Sequence, residues 1–405
     1  MKKPEILSPA GNLEKLKTAI DFGADAVYLG GNKLNLRAFA DNFSNNELEA
    51  GIKYAHDRNK KAYVALNVLP HNEDLEGLED YLKELYELGI DAAIVSDPGI
   101  IMTAREVVPN LELHLSTQAN NVNYKSAMFW YKQGLKRIVL ARELSMNEII
   151  EMKKKLPEDF EIEAFVHGSM CMSYSGRCLL SNYLTGRDAN RGACAQPCRY
   201  KYYLMEEKRP GEYYEVIEDD KGSYIMNSKD LCMIQYIPEL VAAGINSFKI
   251  EGRMKSSFYV AEVTKAYREA LDLFWENPQE YKFKNKWLED LDKVSHRQYH
   301  TGFYFNDSNK QVYESSSYIR NYDIVGIVRS YDKEKKLAVI EQRNKVFEGD
   351  TAEVFRPVGG DFEITFQDIR DVEGNKLEAT PVAQMLYTIK CHDELLENDM
   401  LIMKK

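Results

Sequence analysis

The first 165 residues repeat one pattern: a short apolar run, a loop, then a longer amphipathic stretch. The apolar runs are Ile6-Leu7, Ala26 to Leu29, Ala62 to Leu66, Ala92 to Val95, Leu111 to Leu115, Ile138 to Leu140 and Ile162 to Val166. Between them, Leu75, Leu78, Leu82, Leu85 and Leu88 recur at helical spacing and end at Gly89, the residue type that suits a helix C-terminus. Leu13, Leu16 and Ile20 lead likewise to Gly23, and Ala127 to Lys132 leads to Gly134. Short apolar strands alternating with helices imply βα units and a parallel sheet. An eighth strand, Ser247 to Ile250, follows a helix-like Ile234 to Ala243 and precedes a long helix over Ser257 to Trp275. Eight units over about 275 residues match a (β/α)8 barrel in size. A doubly wound sheet would carry a glycine-rich first turn, and Pro9-Ala10-Gly11-Asn12 is not GxGxxG. The expected class is therefore α/β, a TIM-like barrel.

One interval breaks the rhythm. About 80 residues separate Val166 from Ser247, far more than a βα loop needs. Four of the six cysteines cluster at its start, followed by a Tyr-rich, β-like stretch from Arg199 to Met226. Long insertions at barrel loops usually serve function. After Trp275 the chain turns polar through residue 310, with Tyr299, Phe303, Tyr304 and Phe305 as anchors. From Tyr322 onward period-two strands dominate: Ile324 to Val328, Leu337 to Glu341, Ala352 to Phe355 and Met385 to Ile389. Closely spaced strands of this kind predict a small antiparallel C-terminal β-barrel. The expected division is 1–280 for the barrel with its Cys-rich insertion at 167–226, a linker at 281–320, and the β-domain at 321–405.

Composition excludes classes without choosing among enzymes. The chain is 44% hydrophobic, ordinary for a packed protein, and no run of eighteen apolar residues spans a membrane. Its start, Met-Lys-Lys-Pro-Glu, lacks an apolar h-region and reads as a cytoplasmic protein rather than a signal peptide. With 53 Lys+Arg against 64 Asp+Glu, the −11 charge argues against general coating of nucleic acid but not against a local basic site.

The cysteines sharpen the picture. They are too sparse for a disulfide framework, and Cys171, Cys178, Cys194 and Cys198 fall in the pattern C-x6-C-x15-C-x3-C. Four thiolates are what a [4Fe–4S] cluster or a structural zinc requires, and the x6 gap fits the usual zinc pairing poorly. Three serines and three glycines in the intervening loops suit a backbone wrapped around a cluster. The competing reading is four structural cysteines. Cys232 and Cys391 sit in apolar surroundings and read as core residues. Around the four cysteines, Arg177, Arg187, Arg191, Arg199 and Lys201 face only Asp188, and arginine forks bind carboxylates and phosphates bidentately. For any one of them a solvated surface charge is an equal alternative; together they favour an anionic ligand.

A second constellation is Lys249-Ile-Glu251-Gly-Arg253 at the end of the eighth strand, where a barrel places active-site residues. His167 after the seventh strand, Arg142 after the sixth, Ser116-Thr117-Gln118 after the fifth and Asn67 after the third would share that rim. Lys249 and Glu251 also suit a plain ion pair. His167, four residues before the first cysteine, is the leading candidate for proton transfer. The sequence has no H-E-x-x-H, G-x-S-x-G or G-x-x-x-x-G-K-[ST], so no metallo, serine or P-loop mechanism is recognisable.

Glu5 to Asn12, Gly23 to Gly30, the block from Glu163 to Arg199, and Lys249 to Arg253 together resemble the collagenase-like peptidase family of unassigned catalytic type, over nearly the whole chain. Despite the name, that resemblance implies an oxygen-independent hydroxylase with a [4Fe–4S] cluster. Members include proteins that make 5-hydroxyuridine at the tRNA wobble position using prephenate, an rRNA cytidine hydroxylase and a quinone-ring hydroxylating pair. The tRNA branch fits best, because it pairs a cysteine at Cys194 with one at Cys198; the quinone branch takes its fourth ligand further downstream, near Cys232. The resemblance further implies that the arginines hold prephenate's carboxylates or the tRNA backbone, and that the β-domain suits RNA handling. Three readings follow: a tRNA uridine hydroxylase in which Cys171, Cys178, Cys194 and Cys198 hold the cluster, His167, Lys249 and Glu251 serve catalysis, and Arg142, Arg177, Arg187, Arg191, Arg199 and Arg253 bind substrate; a peptidase; or a non-catalytic cluster-bearing subunit that works with a second family member.

Overall fold

The computed structural model describes residues 2–35, 42–171, 173–199, 203–204, 210–211, 214–215, 227–305, 311–312 and 318–405. Eight parallel strands close a barrel: β1 (Glu5–Pro9), β2 (Ala26–Leu29), β3 (Lys61–Leu66), β4 (Ala92–Val95), β5 (Glu112–Leu115), β6 (Arg137–Val139), β7 (Glu161–Ser169) and β8 (Ser247–Ile250). They pair in sequence order, and β8 closes the ring against both β7 and β1. The TIM-like expectation is borne out. Helices cover the outside, and several start on a side-chain cap placed just after a strand, which is what makes the connections short. Asn12 caps the Leu13–Asp21 helix, Asp97 caps the Pro98–Val107 helix with proline in the first turn, and Ser256 caps the long Ser257–Glu276 helix. Ser44/Glu47 and Ser145/Glu148 form capping boxes. Gly23, Gly89 and Gly134 all take positive φ at the expected helix ends.

The interior of the barrel is not wholly apolar. Beside Leu7, Tyr28, Tyr63 and Ile94 it holds a ladder of charges. Lys249 Nζ meets Glu163 Oε1 at 2.7 Å, and Glu163 Oε2 meets Arg137 Nη1 at 3.1 Å. Arg137 also reaches Glu5 at 2.6 Å and Glu161 at 2.7 Å. Burial alone would raise the carboxyl pKa values of Glu5 and Glu163, but Arg137 beside the first and Lys249 with Arg137 beside the second hold both below the ordinary range. Both carboxylates therefore stay charged inside the barrel.

β7 runs on to Ser169, and its last three residues pair antiparallel with Asp230–Cys232, which in turn pairs with Tyr299–His300. The Cys-rich insertion thus leaves and returns at one ladder. Within 281–320, a short helix (Lys286–Leu291) buries Trp287, and Arg297 makes a 2.7 Å pair with Asp230 in which both side chains are buried. That segment is a buttress of the barrel as much as a connection. Tyr304, expected as an anchor, donates to the carbonyl of Phe165 at 2.6 Å. Most of the Tyr-rich stretch from Arg199 to Met226 lies outside the described residues, as does Lys201.

The C-terminal residues form a seven-stranded antiparallel sheet, a half-barrel in the order 362–365, 351–355, 400–404, 322–332, 337–342, 386–390 and 367–371. Its own core includes Val328, Ile340, Val354, Phe366, Tyr387 and Leu401. Phe355 carries it onto the barrel, stacking on Phe22 at 5.1 Å and meeting Phe258 edge-on at 5.7 Å. Lys265–Asp361 at 3.0 Å and Lys293–Glu353 at 2.7 Å border that contact.

Removing one member of a buried ion network leaves its partners charged and desolvated, at a cost of about 3–5 kcal/mol. Arg137→Met should therefore lower the denaturation midpoint in urea strongly, whereas Lys2→Met, which breaks an exposed 4.0 Å contact to Glu161, should leave it unchanged. Equal midpoints for Arg137→Met and the parent chain would show that the ladder does not stabilise the barrel.

Candidate active site at the barrel mouth

A cavity of about 290 Å³ opens at the C-terminal ends of the strands. Tyr28 of β2, Ala65 of β3, Ile94 of β4, Val139 of β6, Phe165 of β7 and Lys249 of β8 form its floor. Asn67, Ser116, Thr117, Gln118, Arg142, Glu251 and Arg253 come from the loops just beyond the strands. The insertion completes the wall with Cys171, Cys178, Cys194 and Cys198, together with Arg187, Asn190 and Gln196. All four cysteines of the motif thus face one cavity, and none of them is in a disulfide.

The insertion is pinned to the barrel rim at several points. Ser175 N–H donates to Glu143 at 2.9 Å, and Asn120 donates to the Ser175 carbonyl at 2.7 Å. Asn190 donates to the Cys178 carbonyl at 2.9 Å, while its own carbonyl accepts from Leu69 N–H at 3.1 Å. Gly176 has φ +72° and lies so close to the Gln118 carbonyl that a Cβ would sit 2.2 Å from the oxygen, so only glycine allows this approach. Donors reach sulfur as well: Gln196 N–H to Cys194 Sγ at 3.4 Å and Arg142 Nη1 to Cys171 Sγ at 3.7 Å.

Among the described residues that line the cavity, Glu251 is the one carboxylate, against Arg142, Arg187, Lys249 and Arg253. Arg142 lies over the Phe165 ring at 4.0 Å and reaches Glu251 at 3.4 Å. Arg253 is buried and donates to Asn35 at 3.4 Å and Asn42 at 3.0 Å. Lys249 sits over the Tyr28 ring at 4.4 Å, its charge balanced from below by Glu163. Such a cavity suits an anion.

Other expected residues fall elsewhere. Arg177 is exposed on the insertion and is not part of the lining. Arg191 is turned to the barrel, pairing with Asp74 at 2.8 Å and Glu73 at 3.0 Å, so it fastens the insertion. The Arg199 side chain lies outside the description. Cys232 is buried, away from the cavity, and burial pushes its thiol up to about 12, the state of a core residue.

His167 requires a correction. It was expected on the rim as a proton carrier, yet it is 1% exposed and absent from the cavity lining. The cause is a bulge: between the Lys249 and Ile250 positions of β8, β7 advances from Phe165 to His167, skipping Val166. Inward alternation through Glu163 and Phe165 therefore breaks, and His167 turns to the helix layer. There it packs among Tyr259, Tyr267 and Tyr299, with ring centroids 5.3–6.0 Å away. Burial drives its pKa down to about 3, so the ring is neutral. Tyr28 and Phe165, which flank Lys249, were not singled out, although their place at strand ends was readable.

Residues 11–314 match Peptidase family U32, and residues 320–402 match the C-terminal domain of the same family. The chain belongs to this family. The resemblance read from the cysteine block is thereby borne out. Within the family the chain is similar to tRNA hydroxylation protein P1 of Bacillus subtilis (strain 168), 43% identical over 402 residues that cover 99% of this chain and 94% of that protein. It is also similar to tRNA hydroxylation protein P of Escherichia coli (strain K12), at 39% over 426 residues covering 95% and 92%. The 23S rRNA 5-hydroxycytidine C2501 synthase of the same strain is 38% identical over 268 residues, covering 66% of this chain and 39% of that protein.

The depressed His167 pKa has a measurable consequence. The unfolded chain takes up a proton near the usual 6.5 while the folded ring stays neutral down to about 3, so stability falls as pH drops through this window. Between pH 7 and pH 5 this one group should cost about 2 kcal/mol. His167→Phe should remove that increment, read as the difference in urea midpoints at the two pH values. An unchanged pH dependence in the variant would place the ring in contact with solvent.

Proposed function

We propose that this U32 family member is a tRNA-modifying enzyme, an oxygen-independent, prephenate-dependent hydroxylase that converts the wobble uridine to 5-hydroxyuridine with the help of a [4Fe–4S] cluster. The observation that carries the reading is the meeting, in one cation-rich cavity at the catalytic face of a barrel, of four cysteines that form no disulfide. The functions by which the relatives are named, hydroxylation of tRNA and synthesis of 5-hydroxycytidine in rRNA, supply the reaction class.

The donor set suits a cluster better than a single ion. Among the described residues no three His, Cys, Asp or Glu side chains converge tightly enough for one metal ion. A zinc site needs its thiolates within about 2.3 Å of one point, whereas the irons of a cluster are ligated separately. Cys171, Cys178, Cys194 and Cys198 would hold it, and the cluster would supply one-electron redox chemistry. Arg142 and the Gln196 amide, already directed at sulfur, would moderate the negative charge of the thiolates. Arg253 would receive a carboxylate of the co-substrate. Lys249, fixed over Tyr28 by Glu163, would hold a proton at Nζ where negative charge develops on the reacting base, and Glu251 would orient Arg142. The family's peptidase name finds less support: no histidine is among the described lining residues, so no nucleophile there has an imidazole base.

Two measurements test the reading. Chain purified without oxygen should be brown and carry about four irons, and Cys→Ser at any of the four positions should lower the iron content. Colourless protein that holds zinc instead would sink it. Nucleosides from a deletion strain that also lacks other members of the family should have lost the hydroxyuridine-derived forms in mass spectra; their persistence would separate this chain from tRNA hydroxylation.

A further inference from the structure

The insertion contains a helix, Leu180–Thr185, that is amphipathic the wrong way round. A surface helix normally buries its large apolar side chains and shows its polar ones. Here the one buried residue is Ser181, whose hydroxyl donates to the Arg187 carbonyl at 2.7 Å and accepts from Ala195 N–H at 3.0 Å. The large side chains face out: Tyr183 is 87% exposed and Leu179, one turn earlier on the same face, 71%. Leu184 and Tyr174 are also exposed. The helix is therefore held by its small polar side so that its apolar side is presented. This patch begins next to Cys178, which lines the cavity, and exposed arginines, Arg177 and Arg187, bracket it in sequence.

We propose that this face is a stacking platform for single-stranded RNA, on which Tyr183 and Leu179 carry the bases beside the nucleotide that enters the cavity while Arg177 and Arg187 contact its phosphates. The inference rests on the RNA-modifying reading and adds the surface that would present the strand. Aromatic faces tolerate any base, arginines supply the charge complementarity, and an enzyme acting on a base must take that base out of its stack, which leaves its neighbours needing support. In a chain of net charge −11, two arginines beside an exposed tyrosine favour a polyanion over a second copy of this acidic chain.

The test is binding of the full chain to an unmodified anticodon stem-loop RNA, measured by fluorescence anisotropy at two salt concentrations. Tyr183→Ala should weaken binding by about tenfold or more and Tyr183→Phe should restore it, with thermal stability and iron content unchanged. Arg177→Ala should shallow the salt dependence of binding by about 0.7 in log–log slope. If the parent chain binds the RNA and Tyr183→Ala binds it equally well, the platform is wrong and the RNA-modifying reading stands. A parent chain that does not bind RNA overturns both. A Tyr183→Ala chain that keeps RNA binding but changes oligomeric state would mark the patch as a protein interface, against the proposal.

Discussion

The barrel is organised around Lys249, a cation that has to be charged where water is scarce. An ammonium at the floor of a cavity walled by Tyr28, Phe165 and Ile94 is poorly hydrated, and a counter-charge close by offsets that cost. Glu163 provides that charge at 2.7 Å, and its own burial is balanced by Arg137, whose remaining donors are taken by Glu5 and Glu161. Ser247 and Tyr63 donate to Glu5 as well, at 3.0 and 2.7 Å. The network thus ties β1, β3, β6, β7 and β8, including the β8–β1 seam where the barrel closes. A hydrophobic filling would close the barrel as well, but it would leave nothing to hold a cation at the mouth.

The insertion depends on the same frame. Its fasteners, Glu143 to Ser175, Asn120 to Ser175 and Asp74 to Arg191, all sit on loops that follow barrel strands, so closing the barrel is what sets the four cysteines opposite Lys249. This divides the basic residues of the insertion by role. Arg191 is engaged by carboxylates of the barrel, Arg187 lines the cavity, and Arg177 faces solvent beside the outward helix.

The strands of the barrel were legible as short buried runs, wholly apolar in Ala92–Val95 and interrupted by Lys249 in Ser247–Ile250, and both fall where the sequence places them. Grouping the four cysteines was legible from spacing alone. What was not legible is parity. One skipped residue in β7 turns His167 from the mouth to the helix layer, and no glycine or proline precedes the bulge to announce it. The C-terminal sheet shows a related limit: Leu337–Gln342 alternates in burial although its sequence is a mostly apolar run, Met400 to Met403 is an unbroken apolar run and Gln367–Asp371 is mostly polar, so none of the three carries a clear period-two signal in its sequence.

The overall acidity and the local cations belong to one design. Polyanions bind wherever positive charge is spread, so a basic protein would hold nucleic acid at many places besides its active site. A net charge of −11 suppresses those encounters and leaves the mouth, with Arg142, Arg187, Lys249 and Arg253 against Glu251, as a place where cations converge. Part of that charge comes from barrel strand ends and part from the insertion, so the attractive site exists only once both are folded together. The attraction of the mouth for an anionic partner then follows from geometry: the ladder beneath Lys249 and the fasteners of the insertion decide where these cations converge.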